Sequence, residues 1–392
     1  MIKILFIHHA VGWGGAPINM INIINGLDKS RFSVHVLLLK DSVVSKKLNE
    51  SKIPYTIARS VFYKKFYKYL GHSEAGYIRW YQILKFFKLA ITWLLSNRVY
   101  ARKELDQFEP DIIHLNSSVL TDWLKPSSKK GKVIIHVQEP FRRGRLDFLY
   151  YLLRYQMKQY ADHIIAISKD NAERIDIPQK TTVVYNFTKI PNSLLSTGID
   201  SKRLRKVLYL GGAASIKGFY TLVNALGFVE DRILILFAGH YPPNTAKSGF
   251  RKHLPWNKKL QKALITMRNS SNAIEVGLIE DTESIIKDCD VLVSPFRIEH
   301  FSRPIIEAFA CRKVVIGTDV KGMDEIIDHN INGLIIKKNN PRELADAINF
   351  LSKNHEIAST FGEKGYIKAT MHFSEKNTKQ IERIYEKLCK KK

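Results

Sequence analysis

The feature that most limits what this chain can fold into is an alternation kept almost from end to end. Short apolar runs follow one another, each separated from the next by an amphipathic stretch. That is the pattern of parallel α/β architecture, strand then crossover helix then strand. In the first half the expected strands are 3–8, 33–39, 111–115, 132–137, 163–167 and 182–185. In the second half they are 206–210, 232–238, 273–276, 291–294, 313–316 and 333–336. Between the two series, 187–202 carries prolines, serines and a glycine without periodicity and reads as a linker. The chain therefore divides into an N-terminal Rossmann-like domain (1–190), a second such domain (191–373) and a terminal basic helix (374–392) expected to cross back to the first. Doubly wound sheets take ligands beyond the carboxyl ends of their strands. Two of them face to face would form a cleft suited to a two-substrate enzyme.

Composition supports two cores. The 392 residues are 45% apolar, which is globular rather than disordered, and the length suits two domains better than one. Cys289, Cys311 and Cys389 form neither a disulfide framework nor a metal-ligand spacing, in keeping with a reducing, cytosolic compartment. The opening run 1–8 passes straight into a glycine-rich turn, so a buried strand is expected there and not a signal peptide. The best candidate for a membrane span, 83–95, is too short and carries Lys85 and Lys88. Lys and Arg number 62 against 37 Asp and Glu, a net charge of +25. That surplus favours polyanions such as phosphates or acidic lipid headgroups. RNA-recognition motifs are absent, and nucleic acid is not expected as a partner.

Two segments carry chemistry. The first is Ser294-Pro-Phe-Arg-Ile-Glu299-His-Phe-Ser-Arg303-Pro-Ile-Ile-Glu307. A strand ends in a loop bearing Glu299, and a helix is expected from about Arg303. The backbone N–H groups of His300, Phe301 and Ser302 would then stand at a helix N-terminus, a natural seat for phosphate. Glu307, one turn into that helix, could accept hydrogen bonds from a diol on the same ligand; otherwise it is an ordinary solvated glutamate. The second segment is Leu208-Tyr-Leu-Gly211-Gly212-Ala-Ala-Ser-Ile-Lys217-Gly218. Its glycines let a ligand approach the backbone, and Lys217 adds a point charge for phosphate. It fits neither the dinucleotide fingerprint nor the P-loop pattern. Asp288-Cys-Asp290 suggests a metal-binding pair, but it abuts a buried strand and lacks further oxygen ligands.

Together these segments resemble the retaining GT-B glycosyltransferases of family 4, also described as glycosyl transferases group 1. Glu299 and Glu307 match the family's E-x7-E segment. Around it, Gly211…Lys217-Gly218, Phe237-Ala-Gly239, Val276-Gly277-Leu278-Ile279, Asp290-Val-Leu-Val-Ser-Pro, Gly322-Met-Asp-Glu325 and Asn332-Gly333 keep the family's order. The resemblance implies a GT-B fold of two Rossmann-like doubly wound domains. It implies a nucleoside diphosphate sugar as donor substrate, with no cofactor and no metal. Lys217 and Arg303, with the amides of His300, Phe301 and Ser302, would hold the diphosphate against Gly211 and Gly212. Glu307 would take the ribose, Glu299 the transferred sugar, and Leu278 and Ile279 would flank the base. Three positions depart from the family: Gly212 where an arginine is usual, and Ser302 and Arg312 where glycines are usual.

In the first half, Gly12-Trp-Gly14-Gly15-Ala16 after the first strand resembles the loop that faces the donor in this family. Gly14, Gly15 and Ala16 are thus acceptor-side candidates, with a plain strand-to-helix turn as the alternative. His136 resembles the family's strand-end histidine and would touch the sugar or help position the acceptor. It also reads as a satisfied core histidine, and Gln138 or Glu139 could align there instead. Residues 62–103 hold nine Lys/Arg interleaved with aromatics and, before Lys103, one acid, Glu74. That is either an anionic membrane-binding face or a face packed on the core with solvated lysines. The expectation is a cytoplasmic enzyme, peripheral on the inner face of the membrane. By resemblance it moves a sugar, with retention, to a glycan or lipid-linked acceptor in the synthesis of a surface polysaccharide such as lipopolysaccharide or capsule. The rival readings are another GT-B enzyme, such as a sugar-nucleotide epimerase, and a non-catalytic polyanion- or membrane-binding module.

Overall fold

The structure, a computed structural model, describes residues 1–9, 11–68, 83–142, 147–191, 205–243 and 255–390. The chain divides into two compact units, Met1–Phe187 with Glu375–Lys392, and Thr188–Ser374.

The first unit is built on seven strands: β1 (Ile2–His8), β2 (Phe32–Leu38), β3 (Tyr55–Ile57), β4 (Ile112–Leu115), β5 (Lys132–Val137), β6 (His163–Ala166) and β7 (Thr181–Val183). Their order is β3-β2-β1-β4-β5-β6-β7, parallel throughout. Parallel pairing needs a crossover at every step, which covers both faces of the sheet, so the strands must be apolar on both. Leu5, Ile7, Leu37, Ile113 and Ile135 enter one core, whereas Ile4, Phe6, Val36, Ile112 and Ile134 enter the other. The alternation in the sequence missed β3. It is three half-buried residues at the sheet edge and leaves little periodic signature, although β7, equally short and half-buried at the other edge, overlaps an expected strand.

The chain's last helix, Asn377–Cys389, belongs to this unit. Ile381, Ile384 and Tyr385 complete the second core. The Glu382 carboxylate accepts from the Asp28 N–H at 2.9 Å, and Arg31 pairs with both Glu382 and Glu386. Within 62–103, where 69–82 lie outside the described residues, Phe62, Tyr63 and Tyr67 are buried in the first core. Tyr67 donates to the Asp122 carboxylate at 2.8 Å, and Tyr63 shares a 2.8 Å bond with Ser96.

The second unit holds β8 (Lys206–Tyr209), β9 (Leu234–Ala238), β10 (Ala273–Gly277), β11 (Val291–Ser294), β12 (Val314–Thr318) and β13 (Gly333–Ile336). These too are all parallel, in the order β10-β9-β8-β11-β12-β13. The strand order reverses between β8 and β11. That is the switch point, beyond whose carboxyl ends such sheets take their ligands.

Burial sets opposing pH dependences. It holds His8 and His163 down to about 4 and His136 and His300 down to about 3. The unfolded chain protonates these rings near 6.5, so each withdraws stability as the pH falls below that value. Burial pushes the Asp122 carboxyl up to about 7, against the hydrogen bonds of Ser96 and Tyr67. Its contribution is fully present only below about 3.8 and is lost as the pH rises through 7. Asp122→Asn removes that loss. Relative to the parent, the variant should gain roughly 2–3 kcal/mol of unfolding free energy between pH 5 and pH 8. Urea unfolding at the two pH values measures this. A difference independent of pH would show that Asp122 is ionised in the fold.

Candidate active site

Beyond β8 the chain makes a turn at Gly211-Gly212 and a single 3₁₀ turn, Ser215–Lys217, before the helix Phe219–Ala225. Gly212 has φ +57 and faces Gly239, φ +126, at the end of β9. A Cβ on Gly239 would lie 2.6 Å from the Gly212 nitrogen, and one on Gly212 would lie 2.9 Å from His240 backbone atoms. The two turns are stitched by Gly212 N–H to Ala238 O and Ala213 N–H to His240 O, each 3.0 Å, and Gly239 N–H reaches Gly277 O at 2.7 Å. The family's arginine could not stand at 212 without moving this junction. Leu278 and Ile279 follow β10 directly, with Leu278 largely exposed.

The loop after β11 packs on the other side of the same turn. Gly218, φ +83, lies so close to Pro295 that a Cβ would be 1.9 Å from its carbonyl oxygen. Arg297 N–H donates to Ile216 O at 2.9 Å, and Thr318 Oγ1 donates to Phe296 O at 2.7 Å. The structure thus brings Lys217 beside the Glu299–Ser302 loop. The His300 ring stacks on Phe296 with centroids 4.0 Å apart. Burial, and next the nearby charge of Lys217, keep it neutral. The His300 N–H, expected to point at a phosphate, donates instead to Lys321 O at 3.0 Å. Ser302, in place of the family's glycine, is buried with its hydroxyl 2.8 Å from that of Ser294.

The helix that follows is Arg303–Ala310, one residue beyond Ser302. Arg303, expected on the diphosphate, has its Nε 2.6 Å from Glu307 Oε1. Arg312 follows the helix at φ +57, where the family's glycine is free of strain and a side chain is not. Its guanidinium lies 3.8 Å above the Tyr366 ring and pairs with Glu363.

Asp288 and Asp290 lie at the opposite end of the sheet. Asp290 accepts the N–H groups of Arg205 and Lys206 at 2.8 and 2.9 Å, and Asp288 pairs with the Lys206 ammonium at 2.9 Å. Both are anchored to the start of β8. Among the described residues no group of three His, Cys, Asp or Glu could hold a metal ion.

In the first unit, Gly14 caps the helix Gly15–Gly26 beyond β1. The loop is held through Asn116, which the sequence did not single out, and Gln138, given there as an alternative to His136. Asn116, just after β4, donates to Ala16 O and lies beside His8 Nδ1, both at 3.1 Å. Gln138, just after β5, donates to Asn116 Oδ1 at 3.1 Å and accepts from Asn19 at 3.4 Å. Glu139 accepts from the Ser117 and Ser118 hydroxyls. His136 is inside β5, fully buried, with Nδ1 3.2 Å from His114 Nε2; His114 in turn meets Tyr385 Oη at 2.7 Å. The strand-end polar positions are therefore Asn116, Gln138 and Glu139. The signal for Asn116 was the Asn-Ser-Ser run directly after an apolar strand.

Residues 198–368 match the family described as glycosyl transferases group 1, and 13–190 match glycosyltransferase family 4. The chain has a GT-B fold and is related to these glycosyltransferase families. An uncharacterized glycosyltransferase of Methanocaldococcus jannaschii is 26% identical over 231 residues, 58% of this chain and 60% of that protein. The N,N'-diacetylbacillosaminyl-diphospho-undecaprenol alpha-1,3-N-acetylgalactosaminyltransferase of Campylobacter jejuni is 28% identical over 95 residues, 24% of this chain and 25% of that one. The chain spans about 60% of the length of the first curated relatives it matches. In fold it is similar to Anabaena HepE in complex with UDP and glucose, with a TM-score of 0.74 and 18% identity over 98% of this chain and 100% of that one.

Two glycine substitutions separate packing from ligand approach. Gly218→Ala meets Pro295 and an unfavourable φ together, and should cost about 3 kcal/mol or more in unfolding free energy. A Cβ on Gly14 meets nothing within 4 Å, so Gly14→Ala should cost no more than about 1 kcal/mol, the loss of a glycine helix cap. If the Gly14 loop approaches a substrate, turnover of that variant should nonetheless fall. Unchanged turnover would make the loop a plain strand-to-helix turn.

Proposed function

We propose that the protein transfers a sugar, with retention, from a nucleoside diphosphate sugar to a glycan or lipid-linked acceptor in cell-surface polysaccharide synthesis. Uridine diphosphate is the carrier favoured, since the similar Anabaena structure holds UDP. A lipid-linked acceptor agrees with the diphospho-undecaprenol in the name of the Campylobacter relative. One observation carries the reading: the turn after β8 that bears Lys217 packs, through Ile216 and Gly218, on the loop that joins β11 to the Arg303–Ala310 helix. The leaving group is a nucleoside diphosphate whose charge grows as the glycosidic bond breaks. A cation and a helix N-terminus at that point stabilise the developing charge, and His300, held neutral, leaves that role to Lys217.

The remaining roles follow. Gly211 and Gly212 admit the diphosphate to the backbone, with the amides of Phe301 and Ser302 opposite. Glu307 accepts the ribose hydroxyls and Glu299 those of the transferred sugar, while Leu278 and Ile279 flank the base. In the first unit, Gly14, Gly15 and Ala16 serve the acceptor side, with Gln138 and Glu139 at the strand end. His136 acts there through its neighbours, since it is buried within β5. No step in this scheme needs a metal.

A second observation favours an anionic membrane as the place of work. The helices Ile83–Leu95 and Phe148–Tyr160 pack through Leu89, Trp93 and Leu149. Their outer faces carry Phe87, Ile91 and Phe148, which are 55%, 56% and 69% exposed, with Tyr151 and Tyr155 also exposed. Lys64, Lys65, Lys68, Lys88 and Arg98 are exposed in the same unit. Exposed aromatics among cations suit the headgroup boundary, and each such cation is worth about 1 kcal/mol near an anionic surface. Among the described residues no helix is long and apolar enough to cross a membrane. The reading is a cytoplasmic enzyme, peripheral on the inner face.

A thermal-shift screen of nucleoside diphosphate sugars tests the donor. The true donor at a hundred times its Kd should stabilise the second unit by about 2.7 kcal/mol. Glu307→Ala should weaken nucleoside diphosphate binding by roughly 1.5–3 kcal/mol, Glu299→Ala should lower turnover more than binding, and activity should survive excess EDTA. No shift with any donor, together with salt-sensitive polyanion binding, would favour a non-catalytic module. Turnover of a sugar nucleotide without acceptor would favour an epimerase. For the membrane, reversing the charges of Lys64, Lys65 and Lys68 should abolish co-sedimentation with anionic liposomes at low salt while donor affinity stays unchanged. A parent that ignores such liposomes would return 62–103 to a solvated face.

A further inference from the structure

The Arg303–Glu307 pair is odd as a structural element. Arg303 is the first residue of its helix, where the macrodipole disfavours a cation. The acid follows the base at i,i+4, the less favourable orientation for a helical pair. Both side chains are largely buried, 11% and 14% exposed, so the pair bears a desolvation cost that its attraction need not recover. Local helix stability therefore does not account for it. What the contact achieves is geometric. Arg303 Nε fixes Glu307 Oε1 at 2.6 Å, and among the described residues no protein group donates to Oε2. The carboxylate is held in one rotamer with one oxygen reserved.

We propose that Arg303 is a positioning residue for nucleotide recognition. It acts through Glu307, so that binding depends on the ribose diol, and it is not a cation for the diphosphate. This rests on the reading of Glu307 as the ribose acceptor. In the complex a ribose hydroxyl donates to Oε2 while Arg303 keeps Oε1. The consequence is selectivity for ribonucleoside over deoxyribonucleoside diphosphates, set by a residue that touches neither hydroxyl. A carboxylate free to rotate would have to be ordered by the ligand itself, which costs affinity.

The test is a double-mutant cycle on the full-length protein. The parent, Arg303→Met, Glu307→Gln and the double variant are titrated calorimetrically with UDP and with 2′,3′-dideoxy-UDP. Where the donor screen selects another base, the matching pair of diphosphates is used. The parent should prefer the ribose form by roughly tenfold or more. Arg303→Met and Glu307→Gln should each abolish most of that preference, the double variant should lose no more, and affinity for the dideoxy form should stay within about twofold. If Arg303→Met weakens both ligands alike and keeps the preference, Arg303 holds the diphosphate and the proposal fails while the ribose reading stands. A parent that binds the two forms equally overturns both. Should Arg303→Met not fold, Glu307→Gln and the double variant decide, because the double variant leaves no unpaired buried charge. Equal UDP affinities support the proposal, and a further loss in the double variant refutes it.

Discussion

The parallel ladder between β8 and β11 is the constraint on which the donor-side reading depends. Val291 lies opposite Val207 and Val293 opposite Tyr209, so two strands more than eighty residues apart in sequence end at the same edge of the sheet. Because the pairing is parallel, the Gly211–Gly218 turn and the Pro295–Ser302 loop must emerge side by side. Gly218 then allows the two backbones to come closer than any side chain would permit. An antiparallel neighbour would send one loop to the far end, where Asp288 and Asp290 are occupied with anchoring β8. Lys217 meets His300 because of this topology, and neither motif alone would place it there.

What could be read from the sequence follows from the same physics. Parallel strands covered on both faces are apolar at consecutive positions, so the central strands of each sheet stood out without any knowledge of pairing. The edge strand β3 did not, since Tyr55–Ile57 is short and half-buried. Motif spacing revealed which residues share the β8–β11 edge, but not how their side chains engage. The Arg303–Glu307 pair depends on rotamers, and the His300 N–H bond to Lys321 depends on the chain path after β12; neither has a one-dimensional signature. Asn116 was hidden for another reason. An amide after a strand looks like any loop residue until its partners at the ends of β1 and β5 are known.

In the aromatic stretch, burial sorts residues that composition alone leaves undivided. Core packing and membrane contact compete for one apolar face, yet the helix Ile83–Leu95 has apolar residues on two. Leu89 and Trp93 turn inward against Leu149, while Phe87, Ile91, Leu94 and Leu95 stay exposed. The π-helical turn Phe62–Phe66 divides in the same way, with Phe62 and Tyr63 buried and Phe66 exposed. A helix needed only for the core would place polar residues outward. Outward apolar residues on adjoining helices form a patch that folding alone does not explain.

The departures from the family pattern at Gly212, Ser302 and Arg312 are each matched by a local adjustment. With Gly212, the β8 turn closes directly on Gly239, and the backbone occupies space that a side chain would need. With Ser302, the added hydroxyl finds Ser294 across the loop, so a buried polar group is not left unpaired. Arg312 accepts a left-handed backbone, costing of order 1–3 kcal/mol, and offsets it with the Tyr366 ring and Glu363. On the proposed donor reading, Lys217 would carry more of the phosphate charge than in relatives that have an arginine at 212, and tethering Arg303 to Glu307 would leave that burden where it is. Such a site would trade electrostatic reserve for a more rigid hold on the ribose.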